Sequence, residues 1–280
     1  MGRHPIVTLL TDFGERDPFA GVMKGVILTL CPEAHLVDLT HGVGSYDILA
    51  ASFLWQSAVG FFPHGTIHVA VVDPGVGGPR RPIAATIDGH YFVAPDNGLL
   101  SYPMAFGTVQ AVRVLTASEF FLYPVSATFH GRDVFAAVAG HLARGITLER
   151  LGPLIADAIR LPIPTPRLEA PQKLTGQVIW IDQFGNCVTN IRREELDPFV
   201  RSAREDIHIS LAGRPVGRIV RYFGEVDAGS CGAVLGSTGY LEVFIHTGNL
   251  AREWGIVPGA EVSLEWGSFS GPNPGLDCKI

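Results

Sequence analysis

The run Thr66-Ile-His-Val-Ala-Val-Val-Asp-Pro-Gly-Val-Gly-Gly-Pro-Arg-Arg81 constrains this chain more than any other stretch. Ile67 to Val72 is apolar and β-branched, the pattern of a strand covered on both faces in a parallel sheet. Pro74 and Pro79 stiffen the loop that follows, and Gly75, Gly77 and Gly78 let its backbone approach other groups closely. Asp73 and Arg80 therefore stand beyond the carboxyl end of a strand, where open α/β sheets place their ligands. Taken alone, the two residues fit either a loop salt bridge or an active-site pair.

Strand and helix alternate around this run. Ile6 to Leu10 is a short apolar strand ending in Thr11-Asp12-Phe13-Gly14, which puts Asp12 near Asp73. Asp17-Pro18 reads as a helix start, with Asp17 as N-cap and the helix running to Leu30 before Cys31-Pro32. His35 to Leu39 is a second strand, and Asp47 caps a helix through Val59 with apolar residues at helical spacing. Ile83–Ile87 and Tyr91–Ala94 form a hairpin about Asp88-Gly89. A strand at Val109–Leu115 follows, and Thr128-Phe-His-Gly-Arg-Asp133 enters a helix that ends at Arg144 with Gly145 as its left-handed cap. His130 thus precedes a helical first turn, whose free N–H groups favour an anion or a polarised oxygen nearby.

Four prolines between Leu161 and Pro171 have the composition of a stiff linker. Beyond them lie short alternating strands at Leu174–Asp182, Cys187–Ile191, Asp206–Leu211, Val216–Tyr222, Ala233–Leu235, Tyr240–His246 and Glu261–Trp266. The expected fold is an α/β N-terminal domain with a mostly parallel central sheet over 1–160. A Pro-rich linker spans 161–172, and a smaller all-β, barrel-like domain covers 173–280.

Composition narrows the function classes. The 280 residues are 47% hydrophobic and 17% charged, enough apolar chain for a sizeable core. The net charge of −6 and the lack of any Lys/Arg block argue against nucleic acid, while a mildly acidic surface suits a cationic small molecule. No apolar run reaches a membrane span and no signal peptide precedes the first strand, so the cytoplasm is expected. Cys31, Cys187, Cys231 and Cys278 show no paired spacing and read as free thiols. His64 and His68 stand four apart, but on a strand that spacing does not converge on a metal, and none is expected.

Several motif matches fail on context. Asp12-Phe13-Gly14 lacks the loops of a kinase, and Gly75-Val-Gly-Gly-Pro is neither a dinucleotide fingerprint nor a phosphate loop, because Pro79 and Pro82 interrupt the helix that would follow. No serine or cysteine stands in a nucleophile's setting. What remains is a set of polar residues at strand ends, Asp12, Asp73, Arg80, Asn97 and His130, with Phe13, Tyr46 and Phe129 beside them. An imidazole, an ion pair and stacking faces compose a small-molecule site.

Five motifs in order, Leu10-Thr-Asp-Phe-Gly14, Val72-Asp-Pro-Gly-Val-Gly77 with Arg80-Arg81, Ala94-Pro-Asp-Asn-Gly-Leu-Leu100, Thr128-Phe-His-Gly-Arg-Asp133 and Ile181-Asp-Gln-Phe-Gly-Asn186, resemble the S-adenosylmethionine hydroxide adenosyltransferases. This family is related to the fluorinase and chlorinase enzymes. The resemblance implies a hydrolase that places water or hydroxide on the ribose C5′ of S-adenosylmethionine, giving adenosine and methionine, with Asp73, Arg80 and His130 as catalytic trio. The substrate would be the only small molecule required, with no metal or redox cofactor. The resemblance leaves open whether one of the trio takes the proton of water or all three polarise a hydroxide already formed.

The same resemblance implies that Asp12 accepts the ribose hydroxyls, that Tyr46 and Phe129 pack around ribose and sulfonium, with Phe13 also among the substrate-binding residues, and that Asn97 lines the nearby loop. Asp182 and Asn186 would hold the methionine ammonium, with Phe184 in the same motif, Phe223 beside the adenine and Ser237 at the methionine carboxylate. Gly236 and His246 stand where many relatives carry asparagine. A homotrimer with active sites at subunit interfaces is implied as well. Two rival readings are a halogenase of the same superfamily and a non-catalytic S-adenosylmethionine or adenosine binding module. A carboxylate at position 73 argues against the halogenase, because it would repel an entering halide.

Overall fold

The computed structural model describes residues 4–170, 172–204 and 206–267. The chain divides into two compact units, Met1–Ile163 and Pro164–Ile280. In the first, the order is β1 (Ile6–Thr11), α1 (Phe19–Leu30), β2 (His35–Thr40), α2 (Ile48–Val59), β3 (Ile67–Val71), β4 (Pro82–Ile87), β5 (His90–Pro95), α3 (Ser101–Phe106), β6 (Val109–Val114) and α4 (Ala137–Ala143). A π-helical turn, Gly131–Ala136, leads directly into α4. The sheet runs β2-β1-β3-β5-β4-β6, with the first three pairings parallel and β4 antiparallel to both neighbours.

The period of two along each strand builds the layers. Val7, Leu9, Val69 and Val71 face one core with Met23 and Ile27 of α1 and Val138 of α4. Leu10, Ala70 and Val72 face the other with Ala51 and Trp55 of α2 and Met104 of α3. The sheet is therefore covered on both sides, as the unbroken apolar character of β3 requires. The β4–β5 hairpin turns at Asp88 (φ 48°) and Gly89 (φ 74°), two left-handed residues of the kind that match the twist of paired strands. Asp47 caps α2 by accepting from the Ala50 N–H at 3.0 Å, and Gly145 ends α4 at φ 90°.

The start of α1 differs from the sequence expectation. Pro18 itself occupies the N-cap position, without a side-chain cap, and its carbonyl accepts from the Val22 N–H at 2.8 Å. Asp17 is thereby left one residue outside the helix.

The second unit contains β7 (Arg167–Ala170), β8 (Lys173–Ile181), β9 (Cys187–Arg192), α5 (Arg193–Ser202), β10 (Ile207–Leu211), β11 (Arg214–Val216), β12 (Ile219–Val220), β13 (Cys231–Leu235), β14 (Tyr240–Ile245), α6 (Leu250–Trp254) and β15 (Glu261–Trp266). These strands form a curled, mostly antiparallel sheet ordered β11-β10-β15-β8-β9-β14-β13-β12, with β7 paired to β8. Among the described residues no pairing joins β11 to β12, so the sheet is a half-barrel rather than a closed one. Three features depart from the sequence reading. The proline-rich segment carries β7. The stretch from Val216 breaks at Gly217, where a Cβ would lie 2.4 Å from the Cys231 carbonyl. Helix α5 hid behind Pro198 and a charged composition, although Glu195 closes its first turn on the Arg192 N–H at 3.0 Å. Cys31 and Cys187 are buried free thiols and Cys231 is buried with its Sγ 4.0 Å from the Pro215 carbonyl, whereas Cys278 lies outside the described residues.

At the end of the sheet away from the strands' carboxyl termini, His68 is fully buried. Its ring bonds the Thr8 hydroxyl at 2.8 Å and the His90 ring at 3.3 Å. Burial, with a smaller contribution from His90, pushes its pKa down to about 3. The unfolded chain therefore takes up a proton below pH 6.5 that native His68 refuses, and stability falls as pH drops from 6.5 towards 3, by at most about 4–5 kcal/mol. Denaturant titrations across that range should show His68→Gln flattening the decline; an unchanged slope would exclude this origin.

Candidate active site

The loop after β3 is shaped by one ion pair. Arg80 Nε donates to Asp73 Oδ1 and Oδ2, each at 2.9 Å, and its Nη2 donates to Oδ2 as well. Both side chains are nearly buried, 9% exposed for Arg80 and 5% for Asp73. The guanidinium lies over the Phe135 ring at 5.2 Å. The same Nη2 donates to His130 Nδ1 at 2.8 Å, so one cation joins a carboxylate and an imidazole fifty residues further along the chain.

That last bond fixes the tautomer of His130. A guanidinium has no acceptor, so Nδ1 must be the lone-pair nitrogen and the ring proton sits on Nε2. Burial first, and then the adjacent Arg80 charge, hold the imidazole below its ordinary pKa, partly offset by Asp73 and Asp133. At neutral pH His130 is an uncharged ring that accepts from Arg80 at Nδ1 and carries its proton on Nε2. The π-helical turn behind it is tightly packed at residue 131: a Cβ there would meet Phe129 at 3.1 Å and Met23 Sδ at 3.3 Å, so either neighbour would have to give way slightly.

A cleft of about 440 Å³ opens over these groups at the carboxyl ends of β1 and β3. It is lined by Asp12, Phe13, Tyr46, Asp73, Phe129 and His130, all singled out from the sequence, and also by Asp17, Phe19, Ser45, Val76 and Thr128, which were not. Phe13, Phe19 and Phe129 form a triangle of edge-to-face contacts with centroids 5.3 to 6.1 Å apart. Phe19 was hidden because the first residue of an amphipathic helix reads as core, and Asp17 because it reads as a cap.

Asp12 is not free on both oxygens. Its Oδ2 accepts from the Tyr46 N–H at 2.9 Å, and Tyr46 holds a left-handed φ of 67° with its ring 68% exposed. Below Asp12, the Thr11 hydroxyl bonds His41 Nδ1 at 2.8 Å and accepts from the Phe13 N–H at 3.2 Å, which sets the turn. Asn97 does not line the cleft. It donates to the Val72 carbonyl at 2.8 Å and accepts from the Leu99 N–H at 3.3 Å, bracing the peptide before Asp73.

In the second unit, Asp182 Oδ1 accepts from the Phe184 N–H at 2.9 Å and the Asn186 N–H at 2.8 Å, and Oδ2 from the Asn186 side chain at 2.9 Å. These bonds present Phe184, 73% exposed, at the tip of the β8–β9 turn. Phe223 stands edge-on to Phe244 at 4.8 Å, and Ser237 is exposed on the turn between β13 and β14. At Gly236 a Cβ would lie 1.8 Å from Glu242 Oε1, so the glutamate fills the space a larger residue would need.

With this geometry in hand, comparisons with known proteins bear on the site. Residues 7–152 match the family profile described as the SAM hydroxide adenosyltransferase N-terminal domain, and 176–263 the corresponding C-terminal domain. A protein of Salinispora tropica named (R)-S-adenosyl-L-methionine hydrolase is 37% identical over 270 residues, covering 95% of this chain and 100% of that protein. A Nocardia brasiliensis protein named fluorinase is 29% identical, covering 95% and 98%. The crystal structure of an uncharacterized conserved protein from Thermotoga maritima superposes with a TM-score of 0.87 at 32% identity, over 92% of this chain and 99% of that one.

Because Asp73 and Arg80 are desolvated together, removing one leaves the other buried and uncompensated. Arg80→Met should cost about 3–5 kcal/mol in thermal or denaturant unfolding, and Asp73→Asn combined with it should recover part of that loss. Strictly additive losses would mean that the pair is not coupled.

Proposed function

The chain belongs to the S-adenosyl-L-methionine hydroxide adenosyltransferase family, and we propose that it hydrolyses S-adenosyl-L-methionine to adenosine and L-methionine through Asp73, Arg80 and His130. The chemistry places the demand on the nucleophile. The sulfonium departs as a neutral thioether, which needs neither a general acid nor a Lewis acid, so no metal or redox cofactor enters the scheme. Water, by contrast, attacks poorly unless it is held in line with the C–S bond and relieved of a proton.

The Arg80–His130 bond carries the assignment of roles. With Nδ1 already accepting from Arg80, the imidazole offers Nε2–H and acts as a donor to the attacking oxygen, not as its base. Asp73, in the cleft and rich in lone pairs, is the acceptor for that oxygen's proton. A water that accepts from His130 and donates to Asp73 has one lone pair left, and that lone pair faces C5′. Arg80 holds both partners and offsets the negative charge that develops as the proton leaves. A halide offers Asp73 no proton, and the carboxylate repels it, which favours hydrolysis over halogenation.

On this reading Asp12 takes ribose hydroxyls through its unshared lone pairs, with Phe13, Tyr46 and Phe129 around ribose and sulfonium; Asn97 acts through Val72. Asp182, Phe184, Asn186, Phe223 and Ser237 bind the methionine and adenine portions and are supplied by a neighbouring copy in a homotrimer. Light scattering should give three times the monomer mass. The exposed rings of Tyr46 and Phe184 are the kind of surface that such an assembly covers. No helix among the described residues is long and apolar enough to cross a membrane. The buried thiols suit a reducing cytoplasm.

In oxygen-labelled water the adenosine should carry the label at its 5′ position whether or not chloride or fluoride is present; a 5′-halonucleoside would overturn hydrolysis, and binding without turnover would favour a binding module. His130→Ala and Asp73→Asn should each lower kcat about 100-fold or more while KM changes little. Asp12→Ala should instead raise KM. The pH profile has a defined sign. Protonating His130 breaks its bond from Arg80, so kcat/KM should fall as pH drops through an apparent pKa below 6.5, the ordinary imidazole value. Activity that rises on acidification through that range would refute a neutral His130.

A further inference from the structure

Asp133 is fully buried, three residues beyond His130 on the π-helical turn, and does not line the cleft. Its carboxylate accepts from the Ser126 N–H at 2.7 Å and from the Arg132 guanidinium, at 2.5 Å from Nε and 2.9 Å from Nη2. Its backbone carbonyl accepts from the Leu122 N–H at 2.7 Å, and its own N–H donates to the Phe129 carbonyl at 3.1 Å. One residue thus grips the 122–129 loop near its beginning, near its end and at the residue before His130. Apolar burial does little for the first half of that loop, where Leu122, Tyr123 and Val125 are 42%, 89% and 39% exposed, while Phe129 at its end packs against the core.

The loop in turn meets the Asp73–Arg80 loop by backbone. Gly77, at φ 75°, lies so close to the Ala127 carbonyl that a Cβ would be 2.1 Å from its oxygen. Fixing Ser126 fixes Ala127, Ala127 abuts Gly77, and Gly77 stands three residues before Arg80. We infer that Asp133 is a positioning residue for the hydrolysis, setting the separation of the Arg80 loop from the His130 turn. The inference rests on the assignment of Arg80 and His130 above. It concerns orientation of the nucleophile more than affinity, since Asp12 and Tyr46 stand on other loops and Phe129, though at the end of this one, is held separately by edge-to-face contacts with Phe13 and Phe19.

In Asp133→Asn the amide can still accept from Ser126, but its N–H group faces Arg132, and the loop loses its anionic anchor. With S-adenosyl-L-methionine as substrate, kcat should fall about 10- to 100-fold while KM stays within about threefold. Gly77→Ala leaves Asp133 and the trio unchanged and disturbs the same contact from an exposed loop. It should give the same split, so it carries the test even where Asp133→Asn fails to fold. The double variant should be no slower than the slower single one, because both break one linkage. Ile87→Ala, in the core at the far end of the sheet, destabilises without touching this linkage and should keep wild-type kcat. Full kcat in either loop variant, additive losses in the double variant, or an equal kcat loss in Ile87→Ala would overturn the assignment. Wild-type turnover in the same assay tests the hydrolase reading separately from the ratio of variant to wild type.

Discussion

Everything at the cleft hangs on a single guanidinium. Arg80 is planar, permanently charged and able to donate in several directions at once, so it can hold the Asp73 carboxylate by a fork and still reach His130. A lysine in its place would supply charge without the fork, and could not fix the geometry of both partners. Because Arg80 donates to Nδ1, the arginine sets the tautomer of the imidazole, and burial together with the Arg80 charge keeps the ring below its ordinary pKa. The layered α/β unit sets the distances that let one side chain do this, with Asp73 at the end of β3 and His130 at the mouth of a helix on one side of the same sheet.

Much of the first unit was legible in the sequence because two periodicities coincide there with punctuation. The apolar run into Asp73-Pro-Gly, the Asp88-Gly89 turn and the Asp47 cap each have one cheap backbone solution, and the structure adopts it. The second unit was less legible. Helix α5 carries proline at its sixth residue and few apolar side chains, so its helical spacing, Leu196 with Phe199 and Val200, is interrupted and short enough to pass for a polar loop. Strand β7 lies in proline-rich chain, because an edge strand pairs on one side only and tolerates what a central strand cannot.

For the site itself, the residues that meet the cleft through charged or aromatic side chains at strand ends could be found from sequence. What could not be found are relations: that Arg80 touches His130 rather than Asp73 alone, that Asn97 braces a peptide, that Asp17 lines the cleft instead of capping α1. Those depend on contacts between segments tens of residues apart, and no local pattern encodes them. The His130 tautomer belongs to this class: the Arg80 contact occupies Nδ1 and leaves the ring proton on Nε2, which no local motif encodes.

The left-handed peptide at Tyr46 gives the site a chemical preference that its side chains do not reveal. A non-glycine residue at φ 67° carries about 1–3 kcal/mol of backbone strain, and here it delivers an N–H to one oxygen of Asp12. That oxygen keeps only part of its accepting capacity, while the other keeps all of it. A nucleoside offering two vicinal hydroxyls meets an asymmetric carboxylate, with one strong acceptor and one shared acceptor. If Asp12 takes the ribose hydroxyls as proposed, discrimination between ribose and its deoxy counterparts is unequal by position: loss of the hydroxyl at the unshared oxygen is felt in full, and loss of the other is softened because the Tyr46 peptide already satisfies its partner.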